Sequence, residues 1–203
     1  NDVLDMSRME SGNVVIEESE NNLREIVAEI ENVYQPQMEE KMIEFSVDIS
    51  GIKNADIYCD RLRFSQVINN ILDNSMKFTQ AGGKVQFLIE QREEEAMGIA
   101  NYHISIKDNG VGIKPDFVGK IFDPFEREEN EIKNNGSGLG MAITKNIVNM
   151  LGGNIGVNTK YGRGTEFYVD IPLKIQDTCL LKTRARNQND MEQDEFIEQH
   201  EKI

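Results

Sequence analysis

Two asparagines and a lysine recur at helical spacing in the segment QVINNILDNSMKFT, residues 66–79. Asn70, Asn74 and Lys77 are four and three residues apart, so on a helix they share one face. Two amide oxygens one turn apart can ligate a hard octahedral cation such as Mg²⁺, which keeps its waters and takes its other ligands from phosphates. Lys77 adds a positive charge to the same stripe. An ordinary solvated helix surface explains this segment equally well when it is considered alone.

A second segment, DNGVGI at 108–113, follows a run at 102–107 that alternates like a strand. Its glycines, Gly110 and Gly112, let the backbone turn sharply and let a flat ligand approach without interference from a Cβ atom. The Asp108 carboxylate could accept a hydrogen bond from an exocyclic amino group, such as that of adenine. Asn-Gly is also a common turn signal, and the segment by itself favours an ordinary turn.

A third segment, GSGLGMAI at 136–143, places Gly136, Gly138 and Gly140 directly before a helical pattern at 139–151. Backbone N–H groups at a helix N-terminus bind anions, helped by the helix dipole. Spaced glycines also mark dinucleotide-binding turns, so the motif alone is ambiguous. Here a polar loop precedes the glycines instead of a strand, and no βαβ unit surrounds them, which argues against a dinucleotide-binding fold.

The order of these segments resembles that of one protein family. Together with FDPFER at 122–127, they resemble the N box, first glycine box, F box and second glycine box of the catalytic ATP-binding domain of sensor histidine kinases. GRGTEF at 162–167 resembles the family's final glycine motif. The resemblance covers roughly residues 1–174, and the wider superfamily includes gyrase-type topoisomerases, mismatch-repair ATPases and heat-shock chaperones.

The resemblance implies a site for ATP with Mg²⁺. It assigns Mg²⁺ and phosphate contacts to Asn70 and Asn74, a phosphate contact to Lys77, and neutralisation of charge near the terminal phosphate to Arg127. Of these, Asn70, Lys77 and Arg127 carry the implied catalysis, by positioning and charge. The other ATP-binding residues that the family implies are Phe78, Asp108, Gly110, Gly112, Ile113, Phe122, Phe125, Gly136, Ser137, Gly138, Leu139, Gly140 and Thr165.

The resemblance assigns several of these residues to the adenine base. Phe78 would cover one side of the adenine ring, Asp108 would accept its amino hydrogen, and Thr165 would sit near the base. Gly110, Gly112 and Ile113 would form the adjoining wall.

The implied lid spans residues 126–135, between the F box and the second glycine box. Phe122 and Phe125 would anchor it. Gly136, Gly138 and Gly140 would let it fold over the triphosphate, and Leu139 would help to tie it down.

Asn70 bears on the type of chemistry. The ATP-hydrolysing members of the superfamily carry Glu at the matching place, where it activates water, whereas an amide cannot take a proton at neutral pH. The matching position therefore supplies no general base, which favours phosphoryl transfer to a protein acceptor. A hydrolysing relative and a degenerate domain that senses nucleotide or docks partners are the alternatives.

The family's phosphoacceptor histidine is missing from this chain. Its two histidines, His103 and His200, do not lie in the family's pattern of His, an acidic residue and a nearby Pro. Residues 1–12 resemble the end of the second helix of the family's dimerisation and phosphotransfer hairpin. We therefore expect a fragment that binds ATP but does not phosphorylate itself on the usual histidine.

The composition limits the setting and the partners. A formal net charge of −14 argues against general nucleic-acid binding. No apolar run approaches a membrane span, and Cys59 and Cys179 have no metal or redox spacing. We expect a cytoplasmic location and no membrane contact by this fragment, with any membrane anchor of the parent protein lying outside it. The resemblance further implies a phosphoacceptor-hairpin histidine and a response regulator receiver domain as partners, and a homodimeric parent.

The elements that must position these residues are predicted from periodicity. Residues 61–78 contain no Gly or Pro and follow a capping residue, Asp60, which predicts the helix that carries the asparagines. A second helix is predicted over 22–41, with a kink or an early end at Pro36. Its apolar side comprises Leu23, Ile26, Val27, Ile30 and Val33. Strands are predicted at 44–49, 57–59, 84–94, 99–107, 154–159 and 165–173.

These elements predict an α+β fold, a two-layer α/β sandwich in which a mixed sheet is covered by helices on one face, and the resemblance implies its Bergerat-type ATP-binding form. We expect residues 1–12 to be the end of the hairpin helix and 13–21 to be a linker. The catalytic ATP-binding domain would span 22–174 and include the lid at 126–135, followed by a polar tail or interdomain linker at 175–203.

Overall fold

The computed structural model describes residues 2–11, 14–95, 98–127 and 137–176. Within these ranges the helices and strands follow the order α1 (Asp2–Glu10), β1 (Ser19–Asn22), α2 (Leu23–Glu40), β2 (Glu44–Gly51), β3 (Asp56–Cys59), α3 (Arg61–Phe78), β4 (Lys84–Glu95), β5 (Ile99–Asp108), α4 (Pro115–Val118), α5 (Gly140–Met150), β6 (Asn154–Lys160) and β7 (Gly164–Ile175).

The strands form one seven-stranded sheet in the order β1-β3-β7-β5-β4-β2, with β6 also paired to β7. β2 and β4 run parallel, whereas the other described neighbours run antiparallel. In β4, Val85, Phe87 and Ile89 are buried while Gln86 is exposed, so one face of the strand is covered. The predicted mixed sheet with helices on one face is confirmed.

The helices close the core over that covered face. The buried stripe of α3 comprises Phe64, Val67, Ile68, Ile71, Leu72 and Ser75. Burying one Leu, Ile or Phe side chain contributes about 1.5–3 kcal/mol, so this stripe fixes the rotation of α3 about its axis. The polar residues between the stripe positions are thereby directed to the other side of the helix.

The helix α2 decides between two alternatives of the sequence-based prediction at Pro36 and corrects the prediction at Val33. It continues through Pro36 to Glu40, so the proline does not end it. Val33 was predicted on the apolar side, but its side chain is 56% exposed, and this prediction is wrong. Tyr34, four residues after Ile30, takes the buried position, because the helical repeat brings position i+4 back to the core.

The first strand, β1, was not predicted. Its sequence, SENN, has no apolar alternation, and it is held by antiparallel pairing with β3 at the edge of the sheet. Before it in the chain, α1 lies against α5 and buries Met6. None of the described helices is long and apolar enough to cross a membrane.

Candidate functional site

The helix α3 carries the three polar residues that the sequence singled out. It begins at a cap in which Asp60 Oδ1 accepts a hydrogen bond from the Arg63 N–H at 3.0 Å. Because the apolar stripe faces the core, Asn70, Asn74 and Lys77 are left partly exposed on the other side. The Lys77 Nζ lies 4.6 Å from the centre of the Phe78 ring, which places a cation and an aromatic ring side by side.

The Asn70 amide is held against the start of α5. Its Nδ2 donates to the Gly140 carbonyl oxygen and to Thr144 Oγ1, both at 3.0 Å. With its nitrogen facing α5, the amide turns its Oδ1 the other way. Within the part of the chain that the structure describes, neither Oδ1 of Asn70 nor the Asn74 amide has a hydrogen bond. Both side chains therefore have an oxygen available to a metal ion or a ligand.

Asp108 ends β5 as a buried carboxylate, 7% exposed. Its Oδ1 accepts hydrogen bonds from the Gly110 N–H at 2.9 Å and the Thr165 N–H at 3.2 Å. Burial raises the pKa of this carboxyl, and the two backbone N–H groups counter part of the rise. The carboxylate is thus fixed in direction and poised to accept a further hydrogen bond.

The Ser75 hydroxyl lies beside this carboxylate and favours its charged form. Ser75 is 1% exposed, and its hydroxyl interacts with the Asp108 carboxyl. The pair places a donor and an acceptor side by side at the buried end of the turn, where a ligand or water atom can bind. A purine with an amino group and ring nitrogens fits this donor and acceptor set.

The first glycine turn packs against protein backbone on both sides. A Cβ at Gly110 would lie 2.4 Å from the Phe78 carbonyl oxygen, so only glycine allows this approach to the end of α3. Gly112 has φ +68°, and a Cβ there would lie 2.3 Å from the Lys160 carbonyl oxygen. Ile113 is held next to it by a hydrogen bond from its N–H to Thr159 Oγ1 at 3.0 Å. The approach of a flat ligand to these glycines stays a prediction.

The second glycine segment meets the F box at Gly138. The Phe125 N–H donates to the Gly138 carbonyl oxygen at 3.0 Å, and a Cβ on Gly138 would lie 3.1 Å from Arg127 Cγ. Ser137 Oγ accepts a hydrogen bond from the Leu139 N–H at 3.3 Å, and Leu139 is fully buried. The two ends of the implied lid are therefore in contact.

The two phenylalanines of the F box lie in different environments. Phe122 packs on the core and meets Phe167 edge to face, with 6.4 Å between ring centres. Phe125 is 67% exposed and has φ +64°, so its contribution to the Gly138 contact is through the backbone. Gly136 and lid residues 128–135 lie outside the described residues.

These contacts bring the predicted segments together into one site. α3 touches the start of α5 at Asn70 and the first glycine turn at Phe78. Asp108 joins that turn to Thr165 on β7. The site residues that sequence reasoning missed are Ser75, Thr144 and Thr159, whose hydroxyls occupy ordinary helix and strand positions with no spacing signal.

The described histidine is part of the sheet and not of this site. His103 Nδ1 lies 2.7 Å from Asp170 Oδ1, and its ring stacks on Tyr168 with 6.2 Å between centres. Its side chain is only 13% exposed. This geometry makes His103 a packed strand residue, while His200 lies outside the described residues.

A family model described as histidine kinase-, DNA gyrase B- and HSP90-like ATPase matches residues 59–175, more than half of the chain. The match includes α3, Asp108 and both glycine turns. The chain belongs to this family of ATPase domains, as the resemblance of its motifs predicted.

Within the family, this chain is similar to sensor kinases. It is 34% identical over 177 residues to the autoinducer 2 sensor kinase/phosphatase LuxQ of Vibrio cholerae, covering 86% of this chain and 20% of that protein. The chain thus spans about a fifth of the length of the curated relatives it matches.

Two solved structures resemble the fold closely. The structure of full-length ShkA in complex with AMPPNP has a TM-score of 0.73 and 26% identity, and the match covers 88% of this chain and 36% of that one. The catalytic domain of the histidine kinase ThkA has a TM-score of 0.62 and 27% identity, covering 77% of this chain and 95% of that one.

Proposed function

We propose that this chain is the ATP-binding catalytic domain of a sensor histidine kinase. It transfers the γ-phosphoryl group of ATP to a histidine on a phosphoacceptor helix that is not among these residues, for onward signalling to a response regulator receiver domain. The observation that carries the proposal is the Asn70 amide, held at 3.0 Å against Gly140 and Thr144 with its oxygen turned away from α5. The Asn70 amide connects α3, which carries both asparagines, to the second glycine segment, where we place the phosphates.

The adenine end of the site is supported by Asp108. The carboxylate, fixed by the Gly110 and Thr165 N–H groups, accepts a hydrogen bond from the adenine amino group. The Ser75 hydroxyl next to it supplies a second polar contact for the base, directly or through water. Phe78, at the end of α3, covers the ring. The similar ShkA structure is a complex with AMPPNP, an ATP analogue, which agrees with this choice of ligand.

The phosphate end is supported by the residues that follow along α3. Asn70 and Asn74 would hold Mg²⁺ through their amide oxygens, and Lys77 and Arg127 would contact the phosphates. Bound there, the ion would neutralise phosphate charge. The residues themselves orient the triphosphate, and the N-terminus of α5 after Gly138 adds backbone N–H donors.

Transfer to a protein acceptor is favoured over hydrolysis because no carboxylate takes the place of Asn70. An amide cannot remove a proton from water, whereas the neutral imidazole of an incoming histidine needs no base to attack phosphorus. We also propose that the parent kinase is a homodimer, that this part of it is cytoplasmic, and that it binds no nucleic acid. The similarity to LuxQ, a sensor kinase/phosphatase, supports a place in sensory signalling.

The test is phosphoryl transfer in trans. The chain is mixed with a separate phosphoacceptor hairpin from a similar kinase and ATP labelled at the γ-phosphate, and the Asp108→Asn variant serves as the binding-deficient control. We expect an acid-labile, base-stable label on the hairpin with the parent chain and little with the control. ATP binding without transfer would instead indicate a nucleotide-sensing module, and steady phosphate release without a hairpin would indicate an ATP-hydrolysing relative.

A further inference from the structure

Thr144 is a fully buried hydroxyl at the junction between α3 and α5. Its Oγ1 donates to the Gly140 carbonyl oxygen, one helical turn earlier, at 2.8 Å. The same Oγ1 accepts from Asn70 Nδ2 at 3.0 Å, and Asn70 Nδ2 also donates to the Gly140 carbonyl oxygen at 3.0 Å. The three groups close a triangle of hydrogen bonds.

The protons of this triangle can be assigned without ambiguity. A hydroxyl has one proton, and that of Thr144 is taken by the Gly140 carbonyl oxygen, which itself can only accept. Both oxygens therefore face Asn70 as acceptors. An Asn70 amide rotated by half a turn would bring its own oxygen against these two oxygens, so only one orientation is compatible with the triangle.

We propose that Thr144 is a positioning residue for the divalent-metal site: it holds the Asn70 amide with Nδ2 on α5 and Oδ1 presented to the metal. Thr144 touches neither metal nor nucleotide and acts through Asn70 alone. The inference rests on the proposed function, because it assigns Thr144 a role in Mg²⁺-dependent nucleotide binding. Asn74, one turn further along α3, has no such contact among the described residues, so Thr144 governs one of the two amides.

The physical consequence is specific to the metal-bound form of the nucleotide. Replacing Thr144 with Val keeps shape and burial but removes the acceptor that faces Asn70. The amide then has one contact to α5 instead of two and samples orientations that present its NH₂ group to the cation. Metal coordination weakens, while the adenine contacts at Asp108 are untouched.

The experiment measures AMPPNP binding by calorimetry, with excess Mg²⁺ and with EDTA, for the parent, Thr144→Val, Thr144→Ala and Thr144→Ser. We expect the Val and Ala variants to bind AMPPNP about tenfold more weakly in Mg²⁺ and like the parent in EDTA. Ser, which keeps the hydroxyl, restores the Mg²⁺ dependence. Thermal unfolding of all four proteins checks that each of them is folded. If the Thr144→Val variant is unfolded, the comparison uses the Thr144→Ala variant in its place.

A double-mutant cycle separates positioning from general damage. In the Asn70→Ala background, Thr144→Val is expected to have no further effect on affinity in Mg²⁺. Equal loss in Mg²⁺ and EDTA, additive losses in the double variant, or no loss in Thr144→Val would overturn the inference.

A measurement on the ligand-free protein keeps this result distinct from a failure of the proposed function. The side-chain NH₂ signals of Asn70 in ¹⁵N spectra should be slowly exchanging in the parent and Thr144→Ser but not in Thr144→Val. If the parent binds no nucleotide in either condition, the proposed function fails and the metal role of Thr144 fails with it. If the parent binds but the Asn70 signals are unaffected by Thr144→Val, only the positioning role fails.

Discussion

Asp108 and Asn70 are polar groups that the fold orients with hydrogen bonds to the backbone and, for Asn70, to a buried hydroxyl. Two backbone N–H groups hold one oxygen of the Asp108 carboxylate, and the Gly140 carbonyl and Thr144 hold the nitrogen of the Asn70 amide. Each side chain is left with a defined remaining lone pair or oxygen for a partner. This preorganisation lowers the cost of ordering the side chains when a ligand binds.

The buried carboxyl of Asp108 makes the stability of the fold depend on pH. Burial raises the pKa of Asp108 above its ordinary value of 3.8, so the folded state holds this proton more tightly than the unfolded chain. Its contribution to the free energy of unfolding is therefore present at the lowest pH and is lost as pH rises from about 4 through the raised pKa. We expect Asp108→Asn to remove this loss, leaving a variant no less stable than the parent at pH 7. Urea unfolding of both proteins between pH 4 and 7 measures how the free energy of unfolding of each depends on pH.

The same substitution should separate stability from ligand binding. The amide oxygen introduced by Asp108→Asn would still accept from the Gly110 and Thr165 N–H groups, but the charge that we propose to face the adenine amino group is lost. We expect ATP affinity to fall by about 10- to 100-fold, the range for a hydrogen bond to a charged group. Unchanged affinity in a folded Asp108→Asn variant would remove Asp108 from the site.

Residue-scale chemistry was readable from the sequence where spacing and residue type coincide. Asn70, Asn74 and Lys77 repeat with the period of a helix, and the glycines mark turns, so both were predicted. Thr144 was not, because a threonine inside a helical run has no sequence mark of its own. Its role depends on a contact between residues 74 positions apart.

The first glycine turn contacts three elements of the fold, α3, β5 and β6. It packs on the end of α3 and on the end of β6, and it follows β5 directly. The turn is therefore sensitive to volume, unlike most surface loops.

The prediction at this turn uses two glycines with opposite environments. Gly112→Ala adds a Cβ 2.3 Å from the Lys160 carbonyl oxygen at φ +68°, so we expect a loss of about 2–4 kcal/mol of unfolding free energy. The matched control is Gly119→Ala, where φ is −69° and the new Cβ meets nothing within 4 Å. That variant should unfold within about 1 kcal/mol of the parent. Denaturant unfolding compares the three proteins, and equal stability of both variants would contradict the packing described for Gly112.

The contact between α2 and α3 gives a second test at this scale. The Tyr34 hydroxyl donates to Asp73 Oδ1 at 2.8 Å and lies 3.2 Å from the Asn69 carbonyl oxygen. Burial, together with this hydrogen bond and charge, raises the pKa of Tyr34, so it stays a neutral donor. Tyr34→Phe should cost about 1 kcal/mol of unfolding free energy and leave ATP affinity unchanged. Denaturant unfolding and calorimetry check these outcomes, and a large change in affinity would show that α2 positions the site.

Element prediction succeeded where one face is apolar and failed where it is not. The strands β4, β5 and β7 alternate and were found from the sequence. β1 is polar and forms only because β3 offers it an unpaired edge, which is a tertiary effect. Val33 and Tyr34 are neighbours on α2, and the spacing of apolar residues alone does not show which of the two is buried.

The net charge of the whole molecule disfavours binding of an anionic ligand, whereas the local arrangement of positive groups favours it. The formal net charge is −14, so the overall field repels a nucleotide. In the proposed site, Lys77, Arg127 and the N-terminus of α5 would act against this repulsion. Binding therefore depends on the close arrangement of these groups more than on long-range attraction.

The position of α1 yields a prediction at this scale. It touches the rest of the chain through Met6 on α5 and through Asp5, which lies 3.4 Å from Gln66 Nε2 and 3.9 Å from Arg63 Nη1. None of these residues belongs to the nucleotide site. Removing residues 1–11 deletes Met6 and with it the burial of that side chain against α5, which contributes about 1.5–3 kcal/mol, so the melting temperature should fall by a few degrees while ATP affinity is unchanged. A changed affinity would show that α1 acts on the site.

In the proposed site three segments distant in sequence meet around one nucleotide, and hydrogen–deuterium exchange tests this directly. Exchange is compared with and without Mg²⁺ and AMPPNP across the full chain. Slowed exchange is predicted together in 66–79, 108–113 and 137–143, with α2 unchanged as the internal control. Protection of only one of these segments, or protection elsewhere in the sheet without them, would contradict the account.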